Sequence, residues 1–147
     1  MARNRSLSPP PAERGAAIIE FAVVLPVLLL IILGAIEFGW LMGQNNDVRH
    51  GAREAARLAT VDAGSVSAMG ATACDAMDLA SGPTVTFTDS STGRNGSQGT
   101  VRVQMPVASI TNFPVITAML PANLTSEVKF RLEQDSDSWA TGSFTCP

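Results

Sequence analysis

Apolar residues are unevenly spread along this chain, and the rhythm of their spacing changes from one stretch to the next. From Phe21 to Ile36, sixteen consecutive residues carry neither a charge nor a hydrogen-bonding side chain. Ala16–Ile19 extends this run on one side and Phe38–Met42 on the other, each across a single glutamate, Glu20 and Glu37. At about 1.5 Å per residue the run alone covers about 24 Å, and with its shoulders it matches the roughly 30 Å hydrocarbon core of a bilayer. Pro26 and Gly34 lie inside it; membrane helices tolerate both, with Pro26 expected to weaken or kink the helix locally. A cleaved secretory signal fits less well, because Glu37, Phe38 and Trp40 stand where a small-x-small cleavage site belongs. The pattern predicts one transmembrane helix over residues 16–43, with Trp40 at the far interface.

Beyond the run the periodicity stays helical but becomes amphipathic. Val48, Ala52, Ala55 and Ala59 recur on one face, and Arg49, Arg53 and Arg57 run along a neighbouring, solvated face. Gly64-Ser65 breaks the helix, and Ser65 can cap a second one with Val66, Met69, Ala73 and Met77 as its apolar stripe, ending near Ser81-Gly82-Pro83. Alternation with period two then takes over in Thr84–Thr88, Thr100–Met105 and Thr125–Glu133, as in half-buried antiparallel strands. Between the last two, Phe113, Ile116 and Leu120 suggest a turn of helix packed on the sheet. Residues 134–147 read as a tail pinned by Trp139, Phe144 and Cys146. The expected fold class is α+β: a single N-terminal transmembrane helix extended into an amphipathic helix, a second short helix, and a small antiparallel sheet of about three strands.

Composition narrows the function. A net charge of −3, with a pI near 5.0, and the absence of a basic cluster interleaved with aromatics exclude a nucleic-acid partner. No nucleotide-binding fingerprint and no nucleophile elbow is present, so neither a small-molecule substrate nor a cofactor is expected. The sole histidine, His50, reads as a surface residue. Asp135 and Asp137 lack the glycine and distal glutamate of a calcium loop, and no metal site is expected. Cys74 and Cys146 are too few and too far apart for a zinc site. Both follow the apolar run; if that side is extracytoplasmic they form a disulfide, and two buried thiols are the alternative. An enzyme is disfavoured for want of a catalytic constellation.

The stretch Arg14-Gly15-Ala16-Ala17-Ile18-Ile19-Glu20 stands where the polar residues 1–14, expected to be a disordered and mildly basic tail, meet the apolar run. An ionised Glu20 at the edge of the hydrocarbon is unfavourable unless paired; the plain alternative is a carboxylate resting at the interface. The arrangement resembles the processing site of type IV pilins and pseudopilins. More narrowly, Arg14, Gly15, Glu20-Phe21, Leu25-Pro26, Glu37-Phe38-Gly39 and Ala52-Arg53-Glu54-Ala55-Ala56-Arg57 resemble the TadE-like family of the tight-adherence (Flp) pilus system.

That resemblance implies a minor pseudopilin supporting pilus assembly, cut after Gly15 by a prepilin peptidase so that Ala16 becomes the N-terminus. Residues 1–15 are then a cytoplasmic leader, 16–43 the membrane helix, and 44–147 an extracytoplasmic pilin-like domain. Glu20 would pair with the new α-amine of Ala16, on the same subunit or a neighbour, and Phe21, Pro26 and Glu37 would serve assembly. Glu37 reads as a solvated interfacial carboxylate or as a partner for arginines of a neighbouring subunit. The implied partners are the membrane, the peptidase, other pilins or pseudopilins and the assembly platform. The expected location is the cell membrane, single-pass, with the N-terminus cytoplasmic. Arginine counts do not decide orientation, because three precede the span and three follow it closely. The competing function is a membrane-tethered binding or chaperone module that never polymerises.

Overall fold

The computed structural model describes residues 11–89, 95–133, 135 and 141–147, with only the backbone of residues 11–14. The long helix α1 runs from Pro11 to Thr60. It starts earlier than the polar composition of residues 1–14 suggests. Pro11 explains this, since a proline at the first helical position has its φ preset and lacks only an N–H that would go unpaired anyway. The helix continues through Pro26 without a break.

The chain divides into two compact units, Met1–Ile36 and Glu37–Pro147. In the first, the apolar side chains of α1 face outward all round: Ile18, Phe21, Val24 and Ile31 are all well exposed. Among the described residues α1 is the one helix long and apolar enough to cross a membrane, and none of its most apolar window is buried by protein. A helix apolar on every side and left uncovered by its own chain suits a nonpolar surrounding.

In the second unit the same helix becomes the spine of a core. Val48, Ala52, Ala55 and Ala59 are fully buried, as their spacing predicts, and Arg49, Arg53 and His50 are exposed on the outer face. Helix α2 (Val66–Asp75) is capped by Ser65, whose hydroxyl accepts from the Ala68 N–H at 3.3 Å. It ends sooner than predicted, yet Met77 is still buried, because residues 77–80 lie back against α1. There the Asp47 carboxylate accepts from the N–H groups of Leu79 (2.7 Å) and Ala80 (3.0 Å). Gly51 leaves the space that the Met77 thioether occupies.

Four antiparallel strands follow: β1 (Thr84–Asp89), β2 (Gln98–Pro106), β3 (Asn123–Arg131) and β4 (Gly142–Thr145), in the order β3-β2-β1-β4. Their alternation sends Val85, Phe87, Val101, Val103, Met105 and Phe130 into one core with the α1 alanines, Met69 and Ala73. The other face carries threonines and a cross-strand ion pair, Arg102–Glu127, at 2.8 Å. β4 replaces part of the expected tail. It holds Phe144 opposite Val85, and the next residue but one, Cys146, is bonded to Cys74 near the end of α2. The sulfurs thus form a disulfide with Cα atoms 5.7 Å apart, a usual separation. Trp139, expected to help pin this segment, lies outside the described residues.

The segment between β2 and β3 departs from expectation. Its helix α3 (Pro114–Thr117) is one turn long and buries no residue, so it does not pack on the sheet as predicted.

Two stability measurements follow on the full chain in detergent. Gly70 faces the ring and Cβ of Phe144 so closely that an added Cβ has no room. Gly70→Val should cost about 1–3 kcal/mol in denaturant unfolding, the usual range for overpacking; an unchanged midpoint would refute this packing of α2 on β4. The disulfide closes a sequence separation of 72 residues. Its removal in Cys74→Ala/Cys146→Ala should lower stability by about 2–4 kcal/mol.

Candidate functional site

Gly15, Ala16, Glu20 and Phe21 share the N-terminal part of α1. All four are exposed, and a side chain built at Gly15 would meet nothing within 4 Å. Ala16 and Glu20 are four residues apart on a helix, which puts them on one face. Among the described residues the Glu20 carboxylate has no hydrogen-bond or ion-pair partner. Pro26 lies further along the same exposed stretch. The structure therefore leaves this whole set open rather than gathering it into a pocket.

Glu37 behaves differently, and it corrects the sequence reading. It is neither solvated nor exposed to another subunit: its relative exposure is 1%. One carboxylate oxygen accepts the Ile110 N–H at 3.1 Å; the other accepts the Thr111 N–H at 3.0 Å and the Thr111 hydroxyl at 2.8 Å. Seven residues on, buried Gln44 donates to the Ala108 carbonyl at 2.8 Å and accepts from the Ala108 N–H at 3.4 Å. Between them Trp40 donates its indole N–H to the same carbonyl at 2.9 Å. Residues 37, 40 and 44 fall on one face of α1 by their spacing of three and four. That face clamps the backbone of residues 108–111. Burying a carboxylate costs several kcal/mol. Three donors offset this, since bonds to a charged group are each worth about 1.5–3 kcal/mol.

Sequence reasoning missed Gln44 and the 108–111 loop. A signal was present, because Glu37, Trp40 and Gln44 continue the buried face of Val48 and Ala52 toward the N-terminus. The loop itself turns at Asn112, which has φ of 49°, and the Ser109 hydroxyl accepts from the Asn112 N–H at 3.0 Å. Asparagine adopts this left-handed conformation more readily than most residues.

The arginine stripe lies on the exposed face of α1. Arg57 makes a two-pronged contact with Glu54, at 2.6 and 3.0 Å, which holds the Glu54 carboxyl below its ordinary range and raises the guanidinium. The pair is solvent-exposed, so it contributes little to stability. Asp135 accepts from the Asn95 N–H at 2.6 Å, a loop contact; Asp137 lies outside the described residues. Among the described residues no group of three or more His, Cys, Asp or Glu could hold a metal ion.

The clamp predicts a local effect. Glu37→Ala leaves three donors unpaired, and amide exchange at Ile110 and Thr111 should accelerate strongly while the β1–β2 ladder stays protected. Glu37→Gln, which can still accept, should give a smaller change. Equal exchange in all three proteins would contradict the carboxylate's role in holding the loop.

Comparison with known proteins adds one finding. Residues 15–57 match the family model of TadE-like proteins. No curated protein and no solved structure matches the chain. The matched stretch begins at Gly15 and takes in Glu20, Pro26, the Glu37 clamp and the alanine–arginine helix. TadE-like proteins are associated with tight-adherence pilus assembly. The match and the exposed apolar helix support single-pass membrane anchoring with pilus association. Residues 15–57, where the motifs read from the sequence lie, are thus similar to TadE-like proteins.

Proposed function

We propose that the chain is a minor pseudopilin, processed by a prepilin peptidase between Gly15 and Ala16, that supports assembly of a tight-adherence pilus. The observation that carries this reading is the state of α1 from Gly15 to Ile36: an uncovered apolar helix with one carboxylate, Glu20, near its start. Residues 1–15 are the leader. The hydrocarbon-crossing part is residues 16–36, shorter than 16–43, because Glu37 and Gln44 are engaged by the 108–111 loop. Twenty-one residues at about 1.5 Å each give about 31 Å, the thickness of a bilayer core. The Cys74–Cys146 disulfide supports an extracytoplasmic location for the folded domain, since such bonds persist in oxidising compartments.

Cleavage at Gly15 needs an extended backbone in the peptidase, so the first turns of α1 must open. They are well suited to it. Helix ends fray, and a glycine within a helix costs about 1 kcal/mol relative to alanine. After the cut, the Ala16 ammonium and the Glu20 carboxylate neutralise each other at the membrane edge, or pair across subunits. The exposed apolar face then packs against helices of other pilins or pseudopilins, delivered by the assembly platform.

Two substitutions separate the steps. Gly15→Leu should leave the leader attached, seen as an intact mass that retains residues 1–15, because the peptidase must then accommodate a bulky side chain where glycine presents none. Glu20→Ala should be processed normally but abolish the protein's contribution to piliation. Normal pili from both variants would overturn the pseudopilin reading and favour a tethered module.

A further inference from the structure

The segment between β2 and β3 combines features that protein in water does not ordinarily show together. It is uncharged: no Asp, Glu, Lys or Arg occurs between Arg102 and Glu127. It is apolar and outward-facing, with Ile110 53%, Val115 61% and Met119 83% exposed, and Phe113 also on the surface. Its backbone is nevertheless supplied with internal partners. The N–H groups of Ala108, Ile110, Thr111, Asn112 and Phe113 all go to side-chain acceptors. Those of Ile116 to Leu120 close turns within residues 113–120, and Val107 pairs with Ala122. Exposed loops in water usually leave such groups to the solvent. Satisfying them within the chain matters where water is scarce.

Position gives the reason. The Glu37 carboxylate that holds Ile110 and Thr111 belongs to the residue directly after Ile36, where the uncovered apolar stretch of α1 ends. The loop is therefore tethered to the first residue after that stretch. The other large apolar side chains exposed on the same part of α1, Phe38 and Met42, lie within two turns of that point. Trp40, with its amphipathic ring, is the residue type enriched at this depth.

We infer that residues 110–119 form a second, monotopic membrane contact, with Ile110, Phe113, Val115 and Met119 inserted into the headgroup–acyl boundary of the leaflet at which α1 emerges. The inference rests on the reading of residues 16–36 as a membrane span. The occupant of this surface is lipid: the segment has no charge with which to select a protein partner, and most of its backbone N–H groups are already paired within the chain. Apolar side chains above a satisfied backbone suit shallow burial in the interface. The contact restrains the folded domain from pivoting about the end of its helix. It also has to be given up when the subunit leaves the bilayer for a filament.

The test uses the full chain in phosphatidylcholine vesicles, with its native cysteines in the disulfide and one added cysteine carrying the environment-sensitive dye NBD. Val115→Cys and Met119→Cys report on the loop, Thr88→Cys on the polar face of the sheet, and Leu29→Cys on the span. Lipids with a nitroxide near the glycerol end of the acyl chain should quench positions 115 and 119 and leave position 88 unaffected. Lipids with the nitroxide near the acyl terminus should quench position 29. Quenching at 29, with 115 and 119 behaving like 88, would overturn the loop contact and leave the span standing. No quenching at 29 would remove both. Blue-shifted emission at 115 and 119 that nitroxide lipids fail to quench, and that grows with the protein-to-lipid ratio, would assign the surface to another copy of the chain and refute the lipid contact.

Discussion

One helix has to satisfy two solvents, and the change from one to the other at Ile36–Glu37 constrains everything after it. Before that point the apolar side chains of α1 are exposed all round; after it, one face is the spine of a core. Such a junction is a hazard, because the core's edge comes up against a surface where water is scarce. Glu37 resolves it with a buried carboxylate that needs no cation. Two backbone amides and the Thr111 hydroxyl, from a loop more than seventy residues later, donate to it. The loop gains a fixed position, and the helix gains a cover on the one face that would otherwise expose a charge.

The remainder of the domain is small and economical. Alanines on α1 let the sheet side chains approach closely, and Gly51 and Gly70 make room for Met77 and Phe144. A core made this way is thin, and domains of this size often depend on staples. The Cys74–Cys146 bond is that staple: it ties the short last strand to α2 and closes most of the folded domain into one loop.

Much of this was legible in the sequence, for identifiable reasons. The apolar run from Phe21 to Ile36 competes only with a secretory signal, which the residues after it disfavour, and the Val48–Ala59 face repeats cleanly enough to place the buried side of α1. Strands β1, β2 and β3 alternate apolar and polar residues, so their inward faces could be named. β4 could not, since Gly142–Thr145 offers a single large apolar residue and no period to measure. α3 was mistaken for a packed turn because Phe113, Ile116 and Leu120 look like a buried stripe; nothing in spacing reveals that the surrounding surface is apolar too. Glu37 was misread for a deeper reason. Helix length put it at the end of the apolar run, but its partners are main-chain amides distant in sequence, and amides carry no residue identity. The Gly15–Glu20 stretch was readable only as a pattern, and the structure shows it exposed.

The central claim is that the leader is removed and Ala16 begins the mature protein. The most direct measurement is the N-terminal sequence and intact mass of the membrane form, with the prepilin peptidase present and deleted. The account predicts a start at Ala16 when the peptidase is present and a retained leader when it is absent. A Met1 start in both strains would contradict it, and with it the assigned partnership of Ala16 and Glu20.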